Sequence, residues 1–591
     1  MNIAFGISWK DSKKAPGLMV GLLLLGLLPG TLIQSPDAGA SMADAASQLI
    51  SVIVRENPGA SSRPETLVED AGGKVGRRID IIDGFVADVP KRSLNSLESD
   101  PSIHSVTPNA PVKFLGARRP SKPTYDPAEF MRYIAHSAIG AGSYYGKGIT
   151  GKGVGVALID TGTVPVQGLD APGKVIHGPD LSFDSQAPNV AHLDAYGHGT
   201  HMAGIVAGND GHFDQSSSKL PFWGIAPESH IVSLKVGDAH GTTDVSQVIA
   251  AIDWVVQHRN DPGLNIKVLN LSFGTDGTQN YRIDPLAYAA EVAWRKGIVV
   301  VVAAGNAGFG SKKLNNPAYD PFVISVGGTD TLGTFDTSDD VVGSFSSRGN
   351  ASRFPDVVAP GKSVISLRAA GSYVDSTFPN GRVSDRFFKG SGTSQAAAVV
   401  SGAAALILQQ RPGITPDQVK ALLKSSATEL PNTDQMSQGA GLINLADAYD
   451  DRTPSGRRAT QTWTPSSGVG SLELARGSSH VSDGGVALTG EQDIFGARWD
   501  GTRWAYESLN EISWSGGTWN GSTWSGNTWS GNTWSGNTWS GNTWSGNSWS
   551  GNTWSGNTWS GNTWSGNTWS GNTWSGNTWS GNTWSSGSWG G

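Results

Sequence analysis

The sequence predicts an α/β domain with a mostly parallel sheet and helices on both faces as the central part of this 591-residue chain. From about residue 151 to residue 450, short Val, Ile and Leu runs alternate with helical stretches, which is typical of such a sheet. Residues 154–159 form an apolar run that ends at Asp160, as expected for a buried parallel strand. Residues 394–408 have almost no polar face, which places a helix in the middle of the domain.

The remaining elements of this domain follow from the same alternation. Strands are predicted at 154–159, 231–236, 268–272, 298–303, 323–326 and 364–367, and helices at 199–207, 245–259, 285–296 and 394–410. Thr415-Pro416-Asp417 begins a last amphipathic helix, with Thr as cap and Pro at the first position. We expect this domain to span residues 116–450.

The first 40 residues have the pattern of a secretory signal peptide. Lysines precede an apolar stretch at 17–28, which ends at Pro29-Gly30, and Ala38-Gly39-Ala40 supplies small residues for cleavage. The alternative is a membrane anchor, but the apolar stretch is shorter than the ~20 residues that a spanning helix needs. We therefore expect a secreted protein.

Residues 41–115 predict a small α+β unit of the ferredoxin-like kind. Strand and helix patterns follow in the order β-α-β-β-α-β, the split βαβ arrangement. The central hairpin turns at Asp83-Gly84, a pair favoured in tight turns.

Three polar residues occupy positions where α/β domains commonly hold the side chains of a functional site. Asp160 lies at the carboxyl end of a strand, where open α/β sheets hold their sites. His198 lies between two glycines at the start of a helix of small residues, and Ser394 lies in the first turn of the apolar helix. Alone, Ser394 would be interpreted as a helix cap, a frequent role of serine. The set of Asp, His and Ser together indicates a nucleophilic hydrolase.

The segments around these residues resemble the subtilisin-type (subtilase) serine proteases. Asp160-Thr161-Gly162, His198-Gly199-Thr200-His201 and Gly392-Thr393-Ser394 match the three signatures of that family in its chain order. Later family landmarks also occur, at 268–274, 303–306, 345–349, 356–361 and 441–444. The sequence departs from the family pattern at Gln395, where Met is usual, and at Ala398, where Pro is usual.

The resemblance implies a serine endopeptidase that acts on polypeptide substrates. Ser394 would be the nucleophile, His198 the general base, Asp160 the group that orients the imidazole, and Asn306 a donor to the oxyanion.

The segment Ser272-Phe273-Gly274 would pair with an extended substrate backbone, with Phe273 shaping a substrate pocket. His201 is expected to have a packing role.

The resemblance also assigns the unit at 41–115 as an inhibitory propeptide, which makes the protein a self-processed zymogen. The propeptide is then a partner of its own catalytic domain. Nucleic acid is not expected as a partner, because the formal net charge is -7. The absence of Cys excludes disulfides and a Cys nucleophile.

No cofactor is expected to be required for catalysis, and no metal site is predicted. A structural calcium ion, common in subtilases, is left open: Asp170, Asn209 and Asp210 offer oxygens but do not define a site. A zinc hydrolase is disfavoured, because no His-Glu-x-x-His occurs and His198 and His201 are three residues apart beside glycine.

The C-terminal part changes composition twice. Residues 451–490 are rich in Ser, Gly, Thr and Arg and predict a linker, and residues 491–591 form a repeat region. From Trp514 to Trp589 a Trp occurs at every fifth position, in a register that Ile494, Trp499, Trp504 and Leu509 already follow. Period five fits neither a helix nor a strand, so the Ser-Gly-Asn element turns the chain once per repeat or the tail is flexible low-complexity sequence.

The repeats also suggest a binding function. Exposed Trp beside Asn and Ser could stack on a carbohydrate or cell-surface polymer and retain the secreted protein at the cell surface. The alternative function for the whole chain is a non-catalytic surface protein that acts through these repeats.

Overall fold

The computed structural model describes residues 49–79, 83–108, 126–186, 189–211, 221–334, 336–483, 486–495, 497–515 and 518–523, and the short stretches 533–534, 537–538 and 586–589. The chain divides into two compact units, Met1–Pro123 and Thr124–Gly591. The predicted signal peptide lies outside the described residues. Within the described ranges, no helix is long and apolar enough to cross a membrane.

The N-terminal unit has the predicted β-α-β-β-α-β order. Its elements are β1 (Leu49–Glu56), α1 (Arg63–Asp70), β2 (Lys74–Ile79), β3 (Gly84–Pro90), α2 (Leu94–Glu98) and β4 (Ile103–Pro108). The strands form an antiparallel sheet in the order β2-β3-β1-β4. Alternate residues of β1, Val52 and Val54, pack with Phe85 and Ala87 of β3 in a separate core. Asp83 has a φ of 45°, the left-handed conformation expected at the predicted Asp-Gly turn.

The second unit contains the predicted mostly parallel sheet. Its strands are β5 (Gly155–Asp160), β6 (Val175–Asp180), β7 (His230–Lys235), β8 (Ile266–Leu271), β9 (Val299–Ala303), β10 (Ile324–Asp330), β11 (Val341–Val342) and β12 (Val357–Pro360). They lie in the order β11-β10-β9-β8-β5-β7-β6, with β12 also paired to β10. The β10–β11 pair is antiparallel and the other pairs are parallel. All residues of β5 are buried, as a central parallel strand requires.

Helices cover both faces of this sheet. They are α3 (Pro127–Tyr133), α4 (Gly142–Tyr145), α5 (His198–Ala207), α6 (Val245–His258), α7 (Pro285–Arg295), α8 (Tyr373–Thr377), α9 (Thr393–Gln410), α10 (Pro416–Ser425), α11 (Gln435–Gln438) and α12 (Leu445–Asp450). Helix α5 packs against α9, and α6 packs against α7. A short antiparallel pair, β13 (Val364–Leu367) and β14 (Phe387–Gly392), leads into α9. Every residue of α9 from Thr393 to Ile407 is buried, which confirms the predicted helix in the middle of the domain.

The predicted linker at 451–490 is wrong. This segment contains α13 (Gly456–Ala459) and α14 (Leu472–Arg476), followed by the short strands β15 (Ser482–Asp483) and β16 (Val486–Ala487). Leu472, Ala475 and Arg476 are buried within the second unit, to which this segment belongs. Composition is a poor guide here, because a few buried side chains dock a segment that is otherwise Ser- and Gly-rich.

The beginning of the repeat region is also part of the second unit. Helix α15 (Gly501–Leu509) is followed by β17 (Trp514–Ser515), β18 (Thr518–Trp519) and β19 (Ser522–Thr523). Successive strands pair antiparallel, so the chain reverses twice between Trp514 and Thr523. At the second reversal, Asn520 and Gly521 have φ values of 48° and 78°, the signature of a tight hairpin turn.

Most of the large residues of the period-five register that the structure describes belong to the core. Ile494, Trp499, Trp504 and Trp519 are 1%, 6%, 0% and 0% exposed. Trp514 is half-buried against this core, and Leu509 is 42% exposed. The side chains of the later Trp residues lie outside the described residues.

Candidate functional site

Asp160 ends the central strand β5, and its side chain is wholly buried. The backbone N–H and the hydroxyl of Thr161 donate to its Oδ1 at 2.8 and 3.2 Å. These bonds hold the carboxylate at the carboxyl edge of the sheet.

His198 is the first residue of α5, and its ring lies against Asp160. The Nδ1 atom is 2.7 Å from Asp160 Oδ1, and both side chains are shielded from solvent. The helix reaches this position because Gly199 has no side chain. A Cβ at Gly199 would lie 2.1 Å from the Gly162 carbonyl oxygen and 3.2 Å from Asp160 Oδ1.

Asp194 connects these two elements, and sequence reasoning missed it. Its buried carboxylate accepts hydrogen bonds from the Thr161 hydroxyl at 2.7 Å, the Gly197 N–H at 2.6 Å and the Thr200 N–H at 2.7 Å. Burial raises the pKa of Asp194, and these hydrogen bonds offset that shift in part. The available signal was an Asp a few residues before the start of a Gly-rich helix.

Ser394 is the second residue of α9, so it is not the helix cap. The cap position belongs to Gly392, which makes no side-chain cap bond. The Ser394 hydroxyl donates to the Ser272 carbonyl at 3.4 Å, and the Ser272 hydroxyl donates to the Ser394 carbonyl at 3.2 Å. The structure thus brings Ser394 together with the predicted substrate segment.

Asn306 is oriented by the residue that precedes Ser394. Its Oδ1 accepts from the Thr393 N–H at 2.9 Å and from the Thr393 hydroxyl at 3.1 Å. Its Nδ2 is buried and has no hydrogen-bond partner among the described residues. The amide therefore holds a fixed, unused donor next to the start of α9.

The three residues of the predicted substrate segment are all buried. Ser272 also accepts a hydrogen bond from the Asn270 side chain at 3.0 Å. The Phe273 ring is 0% exposed and belongs to the core, so it does not form the surface of a substrate pocket in this structure. A Cβ at Gly274 would lie 2.7 Å from the Asn315 Cβ, so the backbone here packs closely against the next loop.

His201 has the packing role that was expected. Its Nε2 lies 3.2 Å from the Phe388 carbonyl oxygen, and burial lowers its pKa to about 3, with the neighbouring His198 adding to the shift.

The residues considered for calcium do not fit a cation site. Asp210 pairs with the Arg386 guanidinium at 2.7 Å, and Asp170 accepts from the Gly168 N–H. Asn209 Oδ1 accepts from the Gly211 N–H. A guanidinium at Asp210 supplies the positive charge that a cation would bring. Among the described residues, no group of three or more His, Cys, Asp or Glu side chains is arranged to hold a metal ion.

Gln395, which replaces the usual Met, is wholly buried beside Ser394. Neither Oε1 nor Nε2 has a hydrogen-bond partner in the part of the chain that the structure describes. A buried amide without partners costs about 1–3 kcal/mol.

Comparisons with known proteins agree with this geometry. The model of the subtilase family matches residues 151–441. The chain is 36% identical over 387 residues to Serine protease AprX of Bacillus subtilis (strain 168), which covers 64% of this chain and 82% of that relative. The chain belongs to the subtilase family. This subtilase is also 30% identical over 396 residues to Subtilisin E of Bacillus subtilis (strain 168), which covers 65% of this chain and 85% of that relative.

A solved structure, that of a cold adapted subtilisin-like serine proteinase, is 30% identical and covers 50% of this chain and 88% of that chain, at a TM-score of 0.37. The family match and the similarity to Serine protease AprX show that the protein is a subtilisin-family serine endopeptidase, a class whose substrates are polypeptides.

Proposed function

We propose that Asp160, His198 and Ser394 form the catalytic triad of a secreted endopeptidase that is made as a self-processed zymogen. The observation that carries the proposal is the buried 2.7 Å contact between His198 Nδ1 and Asp160 Oδ1. A carboxylate at this place fixes the tautomer in which Nε2 carries no proton and can accept one, and it stabilises the imidazolium that forms.

Hydrolysis then follows from the roles of the side chains. Ser394 Oγ attacks the carbonyl carbon of the scissile bond while His198 Nε2 takes the hydroxyl proton. The same nitrogen returns the proton to the leaving amine, which departs and leaves an acyl ester on Ser394. A water molecule, deprotonated by His198, cleaves the ester and restores the hydroxyl.

Asn306 supplies the electrostatic part of catalysis. Its Nδ2, held by the two bonds between Thr393 and Oδ1, donates to the oxyanion of the tetrahedral intermediate. The donor is aligned before the reaction begins, so no reorganisation is needed as the charge develops.

The segment Ser272-Phe273-Gly274 binds the substrate through its backbone. The exchange of hydrogen bonds between Ser272 and Ser394 places this strand end beside the nucleophile. An extended peptide that pairs with it would bring a carbonyl carbon to Ser394 Oγ. Because the Phe273 ring is buried, residues other than Phe273 must determine which substrate side chains are accepted.

The N-terminal unit, described at 49–108, is proposed to be the inhibitory propeptide. Its independent core and antiparallel sheet support a unit that folds by itself and can be cut away. The cut would fall between Asn109 and Asp126, where the chain connects the two units. Export rests on the signal-peptide pattern of the first 40 residues.

Retention at the cell surface is the proposed role of the later Trp repeats. The support is their composition, since Trp beside Asn and Ser suits stacking on sugar rings. The alternative of a purely non-catalytic surface protein has no support from the site, where each residue that hydrolysis needs is present.

Labelling with a fluorophosphonate probe tests the proposal. Secreted wild type should label and should lack residues before the cut, as read by N-terminal sequencing. Ser394→Ala should neither label nor lose the N-terminal unit, whereas Ser425→Ala, an exposed serine on α10, should behave as wild type. Wild type that is folded and free of its N-terminal unit but does not label would refute the triad.

A further inference from the structure

Aromatic rings lie beside His198 in a place that none of the family motifs covers. Tyr196 precedes His198 by two residues, and its ring stacks on that of Tyr373, with centroids 5.7 Å apart and planes 11° apart. The His240 ring is also near that of Tyr373, with centroids 5.7 Å apart and planes tilted by 59°. We call Tyr196, Tyr373 and His240 the aromatic platform.

Tyr373 is held in place by the segment that leads to His198. The Tyr373 N–H donates to the Ala195 carbonyl and the Val374 N–H donates to the Tyr196 carbonyl, both at 2.9 Å. Gly197 permits this contact, since a Cβ there would lie 2.4 Å from Ser372 Oγ. The position of Tyr373 is therefore coupled to that of the catalytic histidine.

The segment that carries Tyr373 is also rigid. Asp375, two residues later, is clamped by Arg368 at 2.6 Å and by Arg382 at 2.7 Å. Burial opposes ionisation of Asp375, but the hydrogen bonds from Arg368, the Gly371 N–H and Arg382 lower its pKa to about 2. The clamp is charged at any pH at which a neutral or alkaline protease works.

His240 comes from the loop that follows β7, next to Asp160. The N–H groups of Val236 and Gly237 donate to the Asp160 carbonyl at 2.8 and 3.2 Å. The loop closes through Asp238, whose side chain accepts from the His240 and Thr242 N–H groups, both at 2.8 Å. The platform thus joins the element that carries the catalytic histidine to a loop that is hydrogen-bonded to the backbone of the catalytic aspartate.

Tyr373 is 43% exposed, although one of its faces is covered by Tyr196. A large aromatic side chain held this firmly, with one face covered and an exposed remainder, is suited to stacking with another flat apolar group. Solvent exposure without such a partner would leave apolar area in water.

We propose that the aromatic platform binds an aromatic side chain of the substrate within two residues of the scissile bond, with Tyr373 as the specificity-determining residue. The proposal rests on the triad proposed above. Tyr196 is two residues from His198 in the chain, and an extended peptide advances about 3.3 Å per residue, so we place the bound side chain within two residues of the cut. Stacking of aromatic pairs is worth about a two- to tenfold change in rate.

The test uses the mature enzyme and internally quenched peptides that carry Phe or Ala at each position from the fourth residue before the cut to the second after it. Enzyme concentrations are set by titration with the fluorophosphonate probe. For wild type we expect kcat/KM to favour Phe over Ala at one position within two residues of the cut. Tyr373→Ala should lower that preference about two- to tenfold and leave kcat/KM for the Ala peptide within about twofold.

Two variants separate specificity from structure. Tyr373→Phe keeps the ring and should keep the preference, and Tyr506→Ala removes another tyrosine, 66% exposed on α15, and should change nothing. The proposal is overturned if Tyr373→Ala retains the wild-type preference, or if it slows the Phe and Ala peptides equally. If wild type does not label with the probe, the triad itself is refuted, which is a different result from an unchanged preference in an enzyme that labels.

Discussion

The guanidinium of Arg476 lies against the carboxylate of Asp244, at 2.6 Å, and both side chains are 0% exposed. Asp244 caps the N-terminus of α6, where its side chain accepts from the Ser246 N–H. Arg476 also donates to the Gly490 carbonyl at 2.8 Å. Arg476, from the segment at 451–490 that was predicted to be a linker, therefore anchors α6. It also anchors the loop before α6, which carries His240.

Loss of Arg476 should strongly destabilise the protein. Arg476→Ala would leave a buried carboxylate without its counter-charge, and we expect the free energy of unfolding to fall by about 3–5 kcal/mol. Denaturant unfolding of the probe-inhibited enzyme measures this. The control is Arg503→Ala, which removes an ion pair with Glu507 in which the Arg503 side chain is 58% exposed. This variant should lower the free energy of unfolding by less than about 1 kcal/mol. Equal effects of the two variants would show that the buried pair does not anchor the segment.

Asp253 should make stability depend on pH. Its buried carboxylate accepts the indole N–H groups of Trp504 and Trp519, each at 2.8 Å, and the Ser508 hydroxyl at 2.6 Å. Burial raises its pKa to about 6, although these hydrogen bonds offset part of the shift. Between the unfolded pKa near 4 and about pH 6, the folded state keeps a proton that the unfolded state releases.

The stabilisation that comes from binding this proton in the folded state is therefore complete below about pH 4 and is lost as the pH rises through 6. The free energy of unfolding falls by roughly 3 kcal/mol over this range. Asp253→Asn cannot titrate and keeps an acceptor for the indoles. Relative to wild type, its free energy of unfolding should rise by that amount between pH 4 and pH 7. Parallel curves for the two proteins over this range would contradict the assignment.

Asn306 should affect turnover more than binding. Asn306→Leu keeps the size of the side chain and removes the donor, so kcat should fall about 10²–10³-fold, the loss known for this kind of donor in a subtilisin, with KM nearly unchanged. Thr393→Val removes the hydroxyl contact to Asn306 Oδ1 and also the acceptor of the Gly305 N–H, and the expected loss in kcat is about two- to tenfold. Steady-state kinetics with one peptide substrate measures both. A KM effect without a kcat effect would remove Asn306 from the oxyanion site.

Gln395→Met should stabilise the fold, because it replaces a buried amide without partners by an apolar side chain of similar size. We expect the free energy of unfolding to rise by about 1–3 kcal/mol. The matched control is Gln247→Met, also buried, whose amide bonds the Leu181 carbonyl and the Asp244 N–H and should therefore lower stability. A loss of stability in Gln395→Met would mean that the amide has a partner in solution, such as a bound water.

Most of the fold was predictable from the local sequence, because the apolar face of a helix and the apolar run of a buried strand depend on neighbouring residues only. The apolar run before Asp160 became the fully buried strand β5, and the helix from Thr393 is buried on all sides through Ile407. The βαββαβ order of the N-terminal unit follows from similarly local patterns and from the turn at Asp83. The contact between His198 and Asp160, 38 residues apart, needed the parallel sheet to bring a strand end to a helix start.

The sequence by itself therefore determined the family, most of the elements up to residue 450 and the candidate residues of the site. Tertiary structure alone decided that the segment after residue 450 packs on α6 and α7, that Phe273 is buried, and that Asp194 connects the segment after Asp160 to the start of the helix of His198. The physical reason is the range of the interactions. Arg476 meets Asp244 across 232 residues and Trp519 meets Asp253 across 266, and no local period or composition encodes such pairs.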